Sequence, residues 1–284
     1  MSEAKVVCSL CPHHCHLAAG QTGFCRARQN QDGVIRPLNY GLLTSAALDP
    51  IEKKPLYHFH PGSHILSLGS FGCNLRCPFC QNYTISQAGI EGFAGTKLPL
   101  EQVTPKGIVA AAQRLEETSG NIGVAFTYNE PLVGYEFVYD TARLLKEAGL
   151  AVVLVTNGQI AESAWLQLLP YVDAVNIDLK GFTQAFYDWI GGSLETTKAA
   201  ICMAAEQGVH VEVTTLVIPG KNDSAADMVA EARWLSQLSW ELPLHLSRYF
   251  PRYQLDIPMT PASTLYTLQQ VAQKFLRYVH LGNI

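Results

Sequence analysis

The run GCNLRCPFCQN contains three cysteines, Cys73, Cys77 and Cys80, within eight consecutive positions. Cysteine thiolates hold zinc ions and iron-sulfur clusters, and both kinds of centre usually take four protein ligands. Three thiolates leave one metal position open, which either a distant side chain or a bound small molecule could fill. The distant side chains that could complete a structural zinc site are His58, His60 and His64.

A second group of cysteines lies near the start of the chain, with the spacing Cys-x2-Cys-x3-Cys-x9-Cys: Cys8, Cys11, Cys15 and Cys25. Four thiolates close a metal site without any other ligand. We therefore expect a structural zinc ion or a second iron-sulfur cluster that stabilises a segment poor in apolar residues. An electron relay to the other cysteines is the functional alternative. The nearby histidines that could replace a cysteine, or remain solvated, are His13, His14 and His16.

The composition is that of an ordinary globular chain of 284 residues, 48% of them hydrophobic. Its net charge of −4 provides no basic surface for nucleic acid or anionic lipid, so neither is expected as a partner. The first residues lack a signal-peptide pattern, and no apolar run is long enough to span a membrane. We therefore expect a cytoplasmic protein, in which eight cysteines favour metal binding over disulfides.

Two kinds of sequence divide the chain. Residues 1–64 are rich in Cys, His, Gly and Pro and predict a loop-rich segment. Residues 65–284 alternate short apolar runs with amphipathic stretches, which predicts repeated βα units around a parallel sheet. The predicted strands are 65–70, 122–127, 151–156, 173–179, 210–218 and 242–247, and the predicted helices are 105–118, 132–148, 161–169, 195–207, 224–238 and 261–278. Periodicity leaves open whether the six strands form a doubly wound sheet or a partial barrel.

Polar segments follow these strands at the edge where an α/β fold places its active site. The three-cysteine run comes directly after the first predicted strand. The later segments are TYNEP (127–131), TNG (156–158), NIDLK (176–180) and IPGKND (218–223). Each one alone could be a turn or a solvated surface. Because parallel strands end at one edge of the sheet, we expect these segments to surround the cysteines.

The cysteine spacing, with Phe79 before the last cysteine, resembles the signature of the radical S-adenosylmethionine (SAM) enzymes. The resemblance implies that Cys73, Cys77 and Cys80 hold a [4Fe-4S] cluster whose fourth iron is chelated by SAM. An electron from the reduced cluster would cleave the sulfonium and release a 5′-deoxyadenosyl radical, which abstracts hydrogen from a second substrate. The difficult chemistry then belongs to the cofactor, and the protein positions it. The resemblance also implies a flavodoxin or ferredoxin as electron donor.

The same resemblance predicts which residues after the strands contact SAM. Glu130 lies where the family binds the methionine amino group, although Tyr128 and Asn129 replace two glycines there. TNG is similar to a ribose-contacting segment, and DLK to a segment whose lysine lies near SAM in pyruvate formate-lyase activating enzymes. Thr214 stands where that branch has an arginine, and His245 is expected to contact cofactor or substrate, or to be a core histidine. The predicted contacts are Asn129, Glu130, Thr156, Asn157, Lys180, Thr214 and His245.

The cysteine header together with RPLNYG (36–41), ALDPIEKKPLYHFHPGS (47–63) and FGCNLRCPFCQN (71–82) looks like the radical enzyme of the AmmeMemoRadiSam system. This resemblance implies Memo-like and AMME-type proteins as partners. It also implies a partial (β/α)6 TIM-type barrel, open on one side, over residues 65–284. The expected reaction is hydrogen abstraction from an unidentified protein or small molecule, as in a glycyl-radical activase. The competing hypothesis is a non-enzymatic zinc or iron-sulfur scaffold, or an electron carrier.

Overall fold

A computed structural model describes residues 5–284 and shows an α/β fold. The strands are β1 (Val6–Val7), β2 (His16–Leu17), β3 (Arg28–Gln31), β4 (Val34–Pro37), β5 (Leu42–Leu43), β6 (Ser45–Pro50), β7 (His64–Gly69), β8 (Glu101–Gln102), β9 (Asn121–Phe126), β10 (Ala151–Thr156), β11 (Ala174–Asp178), β12 (His210–Val217), β13 (Leu244–Arg248) and β14 (Val279–Gly282). The α-helices are α1 (Tyr83–Ser86), α2 (Pro105–Ser119), α3 (Tyr135–Glu147), α4 (Glu162–Leu168), α5 (Gln184–Ile190), α6 (Leu194–Glu206), α7 (Ala225–Leu238) and α8 (Ala262–Ala272). Within residues 5–284, no helix is both long and apolar enough to cross a lipid bilayer.

The central sheet has eight strands in the order β14-β13-β12-β11-β10-β9-β7-β6. Strands β7 and β9 to β14 run parallel in chain order, and β6 joins one edge antiparallel to β7. The two edge strands, β6 and β14, do not pair with each other, so the sheet stays open. This arrangement is consistent with a partial TIM-type barrel, and the predicted α/β fold class is confirmed.

The predicted strands and helices are recovered because each one carries its own local signal. Strand β10 is a run of Ala, Val and Leu, and parallel strands covered on both faces are nearly continuous in apolar residues. Helix α2 begins with Pro105 after Thr104, whose hydroxyl accepts a hydrogen bond from the backbone N–H of Gly107. The hydroxyl groups of Ser193 and Ser224 cap helices α6 and α7 in the same way, each by accepting from a backbone N–H of the first turn.

The structure also contains elements that the sequence patterns did not predict. Strand β6 lies in the segment predicted to be loop-rich, and β14 lies directly after a helix predicted to run to residue 278. Edge strands need only one partner and tolerate polar residues and proline, so their local signals are weak. Helix α5 was not predicted either. The sheet therefore has eight strands rather than six.

Residues 51–60, which we call the strap, connect β6 with β7 and pack against the barrel strands. Ile51 and Leu56 are fully buried against residues of β7, β9, β10 and β11. The backbone N–H groups of Tyr57 and His58 donate to the carboxylate of Glu212 in β12, at 3.0 and 2.7 Å. The His58 ring also lies 2.8 Å from the ring of His280 in β14. The strap thus connects the two open edges of the sheet, and the predicted division at residue 64 does not separate it from the barrel.

Candidate functional site

A cleft of about 290 Å³ lies at the carboxyl edge of the central sheet, and the three-cysteine run forms one of its walls. Cys73, Cys77 and Cys80 all line it. The other lining residues come mainly from the strap, from the loops after β9, β10 and β11, and from Leu216 near the end of β12. None of the residues that line the cleft is a histidine or a fourth cysteine. The cysteine trio therefore meets open space rather than a protein side chain that could complete a metal site.

Contacts from three other parts of the chain hold the loop that carries the trio. Gly72 adopts φ +89°, and a Cβ atom there would lie 2.7 Å from the carbonyl oxygen of Cys25. The side-chain amide of Asn74 donates to the carbonyl of Gln159 at 2.7 Å, and the backbone N–H of Arg76 donates to the carbonyl of Ile190 at the same distance. The loop is therefore fixed by the fold and does not depend on a bound metal for these contacts.

The chemistry of the trio fits a bound iron-sulfur cluster. Burial raises the pKa of Cys77 to about 12, and it also raises the pKa values of Cys73 and Cys80. These thiols stay protonated on their own, whereas metal coordination deprotonates a thiol outright. An ordinary [4Fe-4S] cluster takes one thiolate per iron, so three thiols without a fourth protein ligand leave one iron for an external molecule.

Four of the residues predicted to bind SAM form a single network in the cleft. The Glu130 carboxylate accepts from the Thr156 hydroxyl at 2.7 Å and from the backbone N–H groups of Asn157 and Leu132 at 2.8 and 3.0 Å. Asn129 accepts from the backbone N–H of Ser70 at 2.9 Å, directly before the cysteine loop. The loops after β9 and β10 are thus tied to each other and to the end of β7.

Asn157 links this network to the cysteine trio. Its side-chain amide lies 2.9 Å from Asn74 Oδ1 and 3.7 Å from Cys73 Sγ, within the longer range of a hydrogen bond to sulfur. Burial raises the pKa of Glu130 to about 7, although the three hydrogen bonds it accepts oppose the rise. A cation beside Glu130 would favour its ionised form.

Lys180 also lies in the cleft, at the end of β11, where it forms an ion pair with Asp178 at 2.7 Å. Burial opposes the charge of Lys180, but Asp178 and the nearby Cys77 raise its pKa above the ordinary value. The charge of Lys180 in turn opposes the rise that burial causes in the pKa values of Cys77 and Cys80. Lys180 is thus a cation that acts on the cysteine thiols.

Two predicted contacts, Thr214 and His245, lie outside the cleft lining. Thr214 is buried beside Asp178 in the sheet, and its hydroxyl has no partner among the described residues. His245 donates to the Glu212 carboxylate at 2.6 Å and packs edge-on against the ring of Tyr57 in the strap. His245 therefore occupies the structural position of a satisfied core histidine.

The cleft contains residues that sequence reasoning did not select, chiefly Lys53 and Lys54 of the strap and Tyr128. Tyr128 has φ +68°, a left-handed conformation that is strained for an aromatic residue. Tyr128 stands where the family that this segment resembles has a glycine, a residue that adopts positive φ without strain. The EKK run (52–54) gave no indication that its two lysines line the cleft, because adjacent lysines usually belong to a solvated surface.

The amino-terminal cysteines lie close together in a folded segment. The backbone N–H of Cys8 donates to the carbonyl of Cys15 at 2.9 Å, and the Cys15 sulfur accepts from the N–H of Phe24 at 3.4 Å. Cys8 and Cys25 are buried. Over residues 5–284, no three Cys, His, Asp or Glu side chains already stand at the spacing of ligands around one metal ion. A second metal site at Cys8, Cys11, Cys15 and Cys25 stays a prediction.

Comparison with known proteins gives relatives at different levels of similarity. An uncharacterised protein of Methanocaldococcus jannaschii is 41% identical over 287 residues, which cover 100% of this chain and 83% of that protein. The pyruvate formate-lyase-activating enzyme of Clostridium pasteurianum is 29% identical over 155 residues, or 54% of this chain and 61% of the enzyme. A solved radical SAM methyltransferase from Sphaerobacter thermophilus has a TM-score of 0.60 at 19% identity, covering 78% of this chain and 67% of that one.

The sequence model of the radical SAM superfamily matches residues 68–232, from the end of β7 to helix α7. Its members combine a [4Fe-4S] cluster with SAM, which agrees with the open cysteine trio in the cleft. With more than half of its residues inside this match, the chain belongs to the radical SAM superfamily.

Proposed function

We propose that this protein abstracts hydrogen from a second molecule after reductive cleavage of SAM. The observation that carries the proposal is the lining of the cleft, where three thiols stand without a fourth cysteine or a histidine. When bound and reduced, the cluster supplies the electron that splits SAM into methionine and a 5′-deoxyadenosyl radical. The cluster would be held by Cys73, Cys77 and Cys80.

The residues around the trio have distinct roles in this proposal. Glu130 accepts three hydrogen bonds from its own loops, and a carboxylate has about four acceptor positions. One position is left for the amino group of SAM, whose positive charge would hold Glu130 ionised. Asn157 directs its amide toward Cys73, and a hydrogen bond to a cluster sulfur tunes the reduction potential. Lys180 would face the carboxylate end of the bound SAM.

A glycyl-radical activase is the specific version of this reaction that similarity favours. The supporting relative is the pyruvate formate-lyase-activating enzyme of Clostridium pasteurianum, which aligns with 54% of this chain. In this version the second molecule is a polypeptide that gives up a Cα hydrogen. A flavodoxin or ferredoxin would supply the electron, and Memo-like and AMME-type proteins are the first candidates for the hydrogen donor.

Anaerobic reconstitution with iron and sulfide tests the proposed function. We expect the wild-type protein to become brown, to hold about four irons more than a Cys77→Ala variant, and to form 5′-deoxyadenosine from SAM under dithionite. Cys202→Ala is the matched control, because Cys202 lies in α6 outside both cysteine groups. Its iron content and its product yield should equal those of the wild type. Equal product from wild type and Cys77→Ala, or none from either, would contradict the proposal.

We also propose that the amino-terminal cysteines bind a zinc ion or a second iron-sulfur cluster. The support is their spacing and their proximity in one folded segment. Burial raises the pKa of Cys11 to about 11, so a metal would be needed to keep its thiolate. Elemental analysis of Cys11→Ala and the wild type distinguishes the two alternatives. A zinc site predicts that the variant loses zinc, and an iron-sulfur cluster predicts that it loses iron and sulfide.

A further inference from the structure

One wall of the cleft comes from outside the region that matches the superfamily. Lys53 and Lys54 belong to the strap and line the same cleft as the cysteine trio, whereas the superfamily match begins only at residue 68. The strap therefore adds groups to the site that the shared core does not contain.

These two lysines and Tyr128 converge on a single acid, Asp49, at the end of β6. Its carboxylate accepts from Lys54 Nζ at 2.9 Å, from Lys53 Nζ at 3.2 Å and from the Tyr128 hydroxyl at 2.5 Å. Although burial opposes ionisation, the hydrogen bonds from Lys54 and Tyr128 hold the pKa of Asp49 well below its usual range. One negative charge thus faces two ammonium groups.

The remaining charged groups of the cleft do not compensate this excess of one positive charge. Lys180 and Asp178 neutralise each other at 2.7 Å. Glu130 is held by donors of its own loops, and burial raises its pKa to about 7. The strap side of the cleft therefore carries one unbalanced positive charge.

Lys54 is the more informative of the two lysines. Only 2% of its side chain is exposed, against 67% for Lys53. An ammonium group has three N–H donors, yet within residues 5–284 the Lys54 ammonium finds one hydrogen-bond acceptor, Asp49, and otherwise lies 4.7 Å from the centre of the Tyr128 ring. Buried donors are normally paired with protein or ordered water, so the remaining N–H groups are available to an acceptor on a bound molecule.

Two buried polar atoms beside the strap also lack hydrogen-bond partners among the described residues, and of the two only the Thr214 hydroxyl could donate to an anion. Asn176 donates its amide to the carbonyl of Pro55, the residue after Lys54, while its Oδ1 atom is buried without a partner in the described chain. The hydroxyl of Thr214 is also buried and unpaired there. Thr214 lies two positions before Leu216, which lines the cleft, and alternate residues of a strand face the same side. The Thr214 hydroxyl thus lies on the same side of β12 as Leu216, without a hydrogen-bond partner in the described chain.

We propose that Lys54, assisted by Lys53, binds a carboxylate group of the second substrate, the molecule that gives up hydrogen. The assignment rests on the proposed function and deepens it by naming an anionic substrate class. SAM also carries a carboxylate, but in the proposed function that group faces Lys180, which lines the cleft at the end of β11. Asp49 and Tyr128 are positioning residues, because they fix the Lys54 ammonium.

The test is a titration of the reconstituted, SAM-saturated protein with small carboxylates. Acetate, propionate and succinate should raise the melting temperature of the wild type, whereas uncharged acetamide should not. Lys54→Met should weaken carboxylate binding by about tenfold, since a hydrogen bond to a charged group is lost, while Lys54→Arg should retain most of it. Lys106→Met, at an exposed position of α2, is the matched control and should respond as the wild type does.

Lys53→Met provides an independent variant if Lys54→Met does not fold, and it should weaken carboxylate binding by about threefold, since exposed charge pairs contribute less. Equal responses to acetate and acetamide, or a Lys54→Met protein that responds like the wild type, would overturn the assignment. The assignment would also be overturned if Lys54→Met lost SAM affinity about tenfold and the SAM-loaded wild type did not respond to carboxylates. The carboxylate that Lys54 binds would then be that of SAM. If the wild type takes up no iron or SAM, the proposed function fails, and the same titration of the iron-free protein still decides the carboxylate site.

Discussion

At the scale of single residues, hydrogen-bond geometry favours the protonated form of a buried acid in α7, Glu231. The Thr215 hydroxyl lies 2.5 Å from Glu231 Oε1 and 2.9 Å from the carbonyl oxygen of Leu179. A hydroxyl has one hydrogen, and a carbonyl can only accept. The one Thr215 hydrogen can serve only one of these two oxygens, and both contacts become hydrogen bonds if a protonated Glu231 donates to Thr215 while Thr215 donates to Leu179. This agrees with burial, which raises the pKa of Glu231 to about 8.

Replacement of Glu231 by glutamine should make the protein more stable than the wild type at alkaline pH. The pKa of Glu231 is about 8 in the folded chain against an ordinary 4.5, so its favourable contribution is complete below pH 4.5 and is lost as the pH rises through 8. Between these values the wild type should lose ~1.4 kcal/mol of unfolding free energy per pH unit relative to Glu231→Gln. Urea denaturation at pH 6, 7, 8 and 9 measures the difference.

Glu241→Gln is the control for this comparison, because Glu241 is half exposed in a pair with Arg277. Its stability should follow that of the wild type at every pH. Parallel curves for wild type and Glu231→Gln would show that Glu231 is ionised in the folded protein, against the expectation.

At the scale of elements, the strap depends on one glutamate of β12. Glu212 lies within 3.0 Å of four partners, the backbone N–H groups of Tyr57 and His58 and the rings of His210 and His245. Burial opposes its charge, but the hydrogen bonds from the two histidines and the two N–H groups lower the pKa of Glu212 to about 2. The charged carboxylate thereby holds the strap, including Lys53 and Lys54, against the sheet.

Glu212→Gln should lower the free energy of unfolding by ~3 kcal/mol at pH 7, because an amide accepts on one side only and leaves buried donors unpaired. The pKa of Glu212 is lower in the folded chain than its ordinary 4.5, so its contribution is present above pH 4.5 and is lost as the pH falls through 2. The difference from wild type should therefore shrink toward pH 3. Urea denaturation at both pH values measures it.

Amide hydrogen exchange locates the same effect in the chain. Exchange at Tyr57 and His58 should accelerate in Glu212→Gln while the amides of β10 stay protected. Glu241→Gln should leave both regions as in the wild type. Unchanged protection at Tyr57 and His58 would contradict the role of Glu212 in holding the strap.

At the scale of the whole molecule, the amino-terminal segment and the cluster loop form one structure. The His13 ring lies 2.8 Å from the carbonyl oxygen of Asn74, and it stacks on the Phe24 ring with centroids 4.0 Å apart. The Arg76 guanidinium lies 3.9 Å from the centre of the same Phe24 ring. Residues on both sides of the predicted boundary at position 64 thus support the loop between Cys73 and Cys77.

Phe24→Ala should make the reconstituted cluster easier to remove, because Arg76 and His13 lose their common packing partner. We expect iron loss to a chelator to accelerate several-fold, followed by the decay of visible absorbance under anaerobic conditions. Phe275→Ala is the matched control, since Arg233 lies 5.4 Å from the centre of that ring in a helical region away from the cleft. Equal rates of iron loss in the two variants would show that the amino-terminal segment does not support the cluster loop.

Much of the fold and part of the site could be predicted, because these features leave local patterns. The spacing of Cys73, Cys77 and Cys80 lies within one loop, and strands such as β10 are continuous apolar runs. Glu130, Thr156 and Asn157 were found because each follows a strand, and parallel strands end at one edge. The edge strands β6 and β14 were missed because each pairs on one side only and carries a weak local signal.

The sequence by itself determined the superfamily, the cysteine trio and the alternation of strands and helices, since all three depend on residues close together in the chain. Only the tertiary structure decided that the Lys53 and Lys54 pair lines the cleft, that Tyr128 bonds to Asp49, and that His245 bonds to Glu212. The physical reason is that the Tyr128–Asp49 and His245–Glu212 hydrogen bonds join residues that are 79 and 33 positions apart along the chain. Their energies come from burial and from shared hydrogen bonds, which no local pattern of residue types records.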